Sequence, residues 1–295
     1  MSSPSNAPVT PPPTADDGWT LVLKPKTGWF DLHLGDLWHY RDLLWMFIWR
    51  DFVSVYKQTI LGPIWFFIQP LFTTIMFTII FSGVARISTD GLPPMLFYLA
   101  GTTPWNYFAG CLNKTSGTFV NNAGIFGKVY FPRLITPISL VVSNLIQFTV
   151  QFLLFFGFLA YYLFKGAAIH PDWLMIVLLT PVLLLLMALL GLGTGILVSS
   201  LTTKYRDLTF LISFGVQLAM YATPVIYPMS SIPAKYRPFI EANPMSAIIE
   251  SFRAIYLGGT IPWPQLGISA AVTAVLLFLG IAIFNKVEKS FMDTV

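Results

Sequence analysis

Six apolar runs dominate the chain, at about Ile64 to Val84, Met95 to Thr115, Ile138 to Phe164, Trp173 to Leu201, Leu208 to Tyr227 and Leu266 to Asn285. The hydrocarbon core of a bilayer is about 30 Å thick and a helix rises about 1.5 Å per residue, so a run of about 20 residues is one crossing. Composition agrees: 55% of residues are hydrophobic, only 10% are charged, and mean hydropathy is +0.70. An ordinary soluble chain does not look like this. The expected fold is an all-α integral membrane protein with about six transmembrane helices.

Charge sets the orientation. Lys24, Lys26, Arg41, Arg50, Lys57, Lys128, Arg133, Lys204, Arg206, Lys286 and Lys289 fall on one side of such a bundle, with Lys114 near it. Only Arg86, Lys165, Lys235, Arg237 and Arg253 fall on the other. Positive loops stay cytosolic, so both termini are expected there. The net charge of +4 and pI of about 9.1 come from bases scattered over short loops without a basic run, which argues against a nucleic-acid partner.

The expected organisation follows. Residues 1–18 form a Pro, Ser and Thr-rich tail with too little apolar surface to order, and without the charged and apolar regions of a signal peptide. Residues 19–61 are a cytosolic segment and an amphipathic interface helix, residues 62–285 the transmembrane domain, and residues 286–295 a cytosolic tail. Cys111 is alone, which rules out an intramolecular disulfide and leaves a packing role.

At 100° per residue, His39, Asp42, Arg50, Ser54 and Lys57 share one helical face, and Leu37, Leu44, Ile48, Phe52 and Val55 gather on the other. Such a helix lies in a membrane interface, with Arg50 and Lys57 among phosphates and Trp38, Trp45 and Trp49 at the headgroup boundary. Periodicity alone equally allows a helix that only anchors the N-terminus. Between the fifth and sixth runs, residues 228–264 hold an apolar helical stretch too short to cross, begun by Asn243-Pro244 and ended by Gly258-Gly259. It reads as a re-entrant outer hairpin, which needs protein or a wet cavity around its backbone, or as an ordinary outer loop helix. Pro70, Pro104, Pro181 and Pro224 fall inside the runs, where each favours a kink.

Enzymatic constellations are missing from the sequence. The Gly127-Lys128 pair has Asn122 where a phosphate loop needs its first glycine, and His33, His39 and His170 lack metal-ligand spacing. No metal site is expected. The runs carry almost no titratable group, which argues against ion-coupled transport. They do carry neutral polar residues at helical spacing: Gln69 and Thr73; Asn144, Gln147 and Gln151; Ser213, Gln217 and Tyr221. Each stripe alone reads as interhelical hydrogen bonding, and the three together allow a polar path. Aromatics make up 16% of the chain and include Phe77 beside the first stripe, suited either to lipid-facing packing or to a surface along which sugar rings slide. Gly191, Gly193 and Gly195 suit close helix approach.

Several segments taken together resemble one family. Tyr40-Arg41-Asp42, the run YKQTILGPIWFFIQP from Tyr56 to Pro70, KVYFPR from Lys128 to Arg133, Tyr205-Arg206-Asp207 and Asn243-Pro244 look like the permease of bacterial polysaccharide ABC exporters, of the O-antigen kind. The resemblance covers nearly everything after the first thirty residues and is weak for the cargo. It implies a non-enzymatic permease in the bacterial cytoplasmic membrane. The permease would work as a homodimer with two copies of a separate ATPase, which would bind ATP and Mg, while this chain binds no cofactor. It further implies ATPase coupling through Lys128, Tyr130, Phe131, Pro132 and Arg133, with Tyr205, Arg206 and Asp207 as a second contact. For Arg133 and Arg206, topology marking is the other reading. Arg50 and Lys57 would meet the pyrophosphate of a polyprenyl-linked glycan. The channel would be lined by Gln69, Thr73, Phe77, Gln147, Gln151, Ser213, Gln217 and Tyr221, and the outer segment would centre on Asn243, Pro244, Glu250 and Arg253. The alternatives are an ABC exporter of a drug or small lipid, or a membrane scaffold that transports nothing.

Overall fold

A computed structural model describes residues 34–57, 62–129, 131–203, 205 and 207–291. The expected tail of residues 1–18, Tyr130, Lys204 and Arg206 lie outside these. The described residues form helices and turns, with no strand among them. In chain order the helices are α1 (Leu34–His39), α2 (Arg41–Tyr56), α3 (Trp65–Phe77, widening into a π-helical turn over Thr78–Val84), α4 (Pro94–Ser116), α5 (Thr118–Phe126), α6 (Ile135–Phe164), α7 (Trp173–Thr202), α8 (Leu208–Tyr221), α9 (Arg237–Glu241), α10 (Pro244–Leu257) and α11 (Trp263–Phe291).

Four stretches are long and apolar enough to cross a membrane: Trp65–Val84, α6, α7 and Trp263–Glu288. The other two expected crossings are also helical, but of a different kind. In α4, sixteen of 23 residues are buried, so protein rather than lipid surrounds it and it tolerates Thr102, Thr103, Asn106 and Lys114. Helix α8 has 14 residues and is about 21 Å long, which is short of a bilayer core. It stops because the chain turns over Ala222–Tyr227, so Pro224 sits in that turn rather than inside a helix.

Helix ends follow their residues. Asp172 caps α7 by accepting from Met175 N at 3.1 Å, and Asn243 caps α10 by accepting from Met245 N at 3.0 Å, with Pro244 in the first turn. Gly258, at φ 94°, ends α10 in a conformation that favours glycine.

Helices α4 and α7 form the centre. A Cβ on Gly191 would meet Cys111 Cβ of α4 at 2.6 Å, and one on Gly193 would meet Leu277 Cα of α11 at 2.7 Å. Alternate glycines therefore let α7 press its backbone onto two different neighbours. Helix α6 packs on α4 and α2 on α6, while α10 fills the space among α4, α7 and α11. The large core lies along α4, α6, α7 and α10. A second core of Phe119, Phe126, Phe131, Ile135, Ile196 and Phe284 knits α5, α6, α7 and α11 at the end away from α10. Tyr40, Leu43, Leu44 and Phe47 pack against it.

Candidate transport surface and coupling corner

The polar stripe of α8 stands on the surface of the subunit. Ser213, Gln217 and Tyr221 are exposed together with Phe210, Phe214 and Leu218, and Val216 is the one buried residue of this helix. Gln69 of α3 is exposed as well, with Thr73 half-buried and its hydroxyl bonded to the Gln69 carbonyl at 2.9 Å. Phe77 lies half-buried against Phe81 and Tyr98, at ring distances of 5.3 and 6.1 Å.

On α6, Asn144 and Gln151 are buried and Gln147 is half-buried, so of the two glutamines expected to line the channel Gln151 is turned inward. Gln151 is 2% exposed and accepts from Asn106 Nδ2 of α4 at 3.2 Å. Asn144 is buried, donates to the Tyr107 carbonyl at 3.1 Å and accepts from Lys114 Nζ at 2.8 Å. Gly110 makes this possible, because a Cβ there would meet Asn144 Nδ2 at 2.6 Å. Gln147 lines a cavity beside α2. The physical reason is that α4 runs through the middle of the subunit, so polar groups on α6 find partners there rather than on the surface.

Helix α2 is not a free-lying amphipathic rod. Its helix is separated from α1 at Tyr40, Ile48 is buried and Leu44 and Phe52 are half-buried against the body, while Trp38, Trp45, Met46 and Trp49 point outward. The Arg50 guanidinium bonds Asp51 Oδ1 at 2.8 Å and lies 4.5 Å over the Phe47 ring. Lys57 ends the helix and is exposed.

The corner between α4 and α6 is tied to α7 and α11 by side-chain contacts. The Phe119 amide donates to Ser199 Oγ at 3.2 Å, Thr202 donates to the Ser116 carbonyl at 3.1 Å, and Phe119 stacks on Phe284 at 4.5 Å. Arg133 is 5% exposed and turned into the protein. It donates to the Glu288 carbonyl at 2.9 Å, pairs with its carboxylate at 3.8 Å and lies 5.4 Å over Phe126. Phe131 is buried and Pro132 half-buried, whereas Lys128, Tyr205 and Asp207 are exposed. Among the described residues, the exposed surface of this corner is carried by Asn121, Gly124 and Ile125 of α5, by Lys128 and Val129, and by Tyr205 and Asp207.

At the opposite end, Arg253 of α10 holds the turn after α8. Its guanidinium donates to the carbonyls of Pro224 and Val225, pairs with Glu250 at 3.2 Å and lies 3.8 Å over Phe97. Gly101 of α4 is required there, since a Cβ would collide with the Val225 carbonyl and come within 2.6 Å of the guanidinium. Asn243 donates to Thr223 Oγ1 at 2.8 Å, and Ser230 donates to Asp90 at 2.8 Å, tying the α3–α4 turn to the same region. Gly101 and Lys114 were not singled out by sequence reasoning. A lysine within an apolar run was the signal for the second, and nothing in the sequence marks the first.

Residues 42–257, from the first turn of α2 to the last residue of α10, match the family model described as ABC-2 type transporter. The chain belongs to the ABC-2 type transporter family. Among curated relatives of this ABC-2 type chain, an O-antigen export system permease protein RfbA of Klebsiella pneumoniae is 29% identical over 85% of the chain and 94% of that protein. The RfbA permease of Myxococcus xanthus is 28% identical over 88% of the chain and 98% of its own length. The polysialic acid transport protein KpsM of Escherichia coli is 21% identical over 83% and 93%. The ABC-2 match takes in both the exposed α8 and the Arg253-held turn that follows it, but not α11.

Proposed function

We propose that this chain is the permease subunit of an ATP-driven exporter that moves lipid-linked polysaccharide, of O-antigen type, across the bacterial cytoplasmic membrane. Family membership and relatives named for O-antigen and polysialic acid transport support the cargo class. The observation that carries the reading is the polar and aromatic face of α8, exposed on the subunit like Gln69 of α3, whereas Asn144, Gln151 and Lys114 are hydrogen-bonded inside it.

In this reading a second copy of the chain faces α8 and α3, and Gln69, Ser213, Gln217 and Tyr221 with Phe214 line the path between them. Flat rings and amides hold a sliding glycan weakly at each step, which suits a processive substrate. The α5 end lies in the cytosol. Two ATPase subunits dock on Lys128, Tyr205 and Asp207, and supply ATP and Mg chemistry. Arg133 acts as a positioning residue, because it welds the corner to α11 and lets a push on the surface move α6 and α11 together. Lys57, with Arg50 adjusted by its Asp51 pair, meets the cargo pyrophosphate at the interface. Helix α10 and its Arg253-held turn form the outer, re-entrant part, since buried non-helical backbone at membrane depth must be satisfied by protein.

The test is depletion of this protein in its native host, with measurement of polyprenyl-linked glycan in the cytoplasmic membrane. Finished polymer should accumulate there while surface glycan is lost. If neither changes, the cargo assignment is wrong, and export of a drug or small lipid replaces it.

A further inference from the structure

Two hollows lie along the seam of α3 and α6, both mostly apolar, and one of them includes the charged side chains Asp51 and Lys114. The first, of about 220 Å³, has a mostly apolar wall that includes Phe52, Phe66, Leu140 and Ile146, with Asp51 of α2 and Lys114 of α4 set into it. The second, of about 740 Å³, is lined by Phe67 of α3 and Val150, Leu154, Gly157, Phe158 and Tyr161 of α6. The α6 residues form one stripe: Val150 lies three residues beyond Gln147, and Leu154, Gly157 and Tyr161 follow at steps of three or four. Phe66 and Phe67 are consecutive and Gln147 and Val150 lie one turn apart, so the two hollows are neighbours along the seam. From Val150 to Tyr161 the groove covers about 17 Å of helix.

The chamber carries both signs of charge. Asp51 Oδ1 is taken by Arg50, but Asp51 Oδ2 is buried and has no hydrogen-bond partner among the described residues. A buried carboxylate oxygen left in that state calls for a donor. Lys114 gives one hydrogen bond to Asn144, leaving two of its three N–H groups for another acceptor. A pyrophosphate would satisfy Lys114 but would set its charge against Asp51.

We propose that this bipartite hollow is a site for a resident zwitterionic phospholipid with an aminoethyl phosphate headgroup. The phosphate sits at Lys114, the ammonium sits at Asp51 Oδ2, and a hydrocarbon chain runs up the α3–α6 groove. The bound lipid wedges α2 against α3 and α6, so the interface helix is seated partly on lipid. This site is distinct from the exposed face of α8 and does not depend on the identity of the cargo.

The full-length permease, reconstituted in nanodiscs of equal phosphatidylethanolamine and phosphatidylglycerol, is released and read by native mass spectrometry. One phosphatidylethanolamine per chain should survive in preference to phosphatidylglycerol. Lys114→Gln should weaken its retention about tenfold, as loss of a charge-assisted hydrogen bond does. Asp51→Asn should erase or reverse the headgroup preference while leaving a lipid bound. Gly157→Leu should reduce retention without unfolding the chain, because a Cβ at Gly157 meets nothing within 4 Å. Equal retention of both lipids by the unaltered protein and by Asp51→Asn would overturn the proposal. So would displacement of the bound lipid by one equivalent of a polyprenyl pyrophosphate, which would make the hollow a cargo site.

Discussion

Helices α8 and α10 are each 14 residues long and both apolar, and the turn that follows α8 is held by α10. In α8 a single residue is buried; in α10 twelve are. The helix read from sequence as a membrane crossing is thus among the least enclosed of the large helices, and the one read as an outer segment is the most enclosed. Apolarity says only that a side chain avoids water. Whether lipid, another helix or a second subunit covers it depends on what the fold brings alongside. The position of polar residues is the better guide: in α10 Arg253 is buried and engaged, whereas in α8 Ser213, Gln217 and Tyr221 remain on the surface.

The sharpest way to break this contrast is Arg253→Met. It strips the Pro224 and Val225 carbonyls of their donor and leaves Glu250 without its cation, so unfolding in detergent should show a loss of about 3–5 kcal/mol. Unchanged stability would mean that α10 is held by apolar packing alone. A matched pair comes next: Phe252→Ala in α10 should cost about 3 kcal/mol through a cavity, whereas Phe214→Ala in α8 should stay within about 0.5 kcal/mol. Equal costs would show that α8 is enclosed within its own subunit after all. Gly101→Ala should cost about 1–3 kcal/mol despite the better helix propensity of alanine, because the clash is with the turn that Arg253 holds. A neutral result would place that turn further from α4. The smallest stability effect, within about 0.5 kcal/mol, is expected for Gln217→Leu, yet surface glycan export should fall in the same strain. Normal export would remove the α8 face from the transport path and leave it as lipid-covered surface.

Much of the helical order could be read from residues. Asn243-Pro244 and Gly258-Gly259 bracket α10 at Pro244–Leu257, because capping and positive φ are local properties. The alternate glycines of α7 announced close packing, although which neighbour each one meets was open until α4 and α11 were in place. The polar stripes were visible but not their targets. Gln151 and Gln217 are the same residue type in similar apolar runs, and one is paired with Asn106 while the other is exposed. Arg133 looked like a surface cation beside an interface loop, and its bond to Glu288, 155 residues away, turned it into a structural one.

By itself the sequence determined an all-helical membrane chain, the residues that begin and end α10, and the motifs that point to its family, because these depend on hydropathy, capping and spacing over a few turns. The tertiary structure alone decided which polar groups are spent inside the subunit, that α10 is enclosed and α8 is not, and that Asp51 and Lys114 line one chamber. Those outcomes depend on contacts between residues far apart in the chain, and a local pattern of apolar and polar residues is compatible with more than one set of partners.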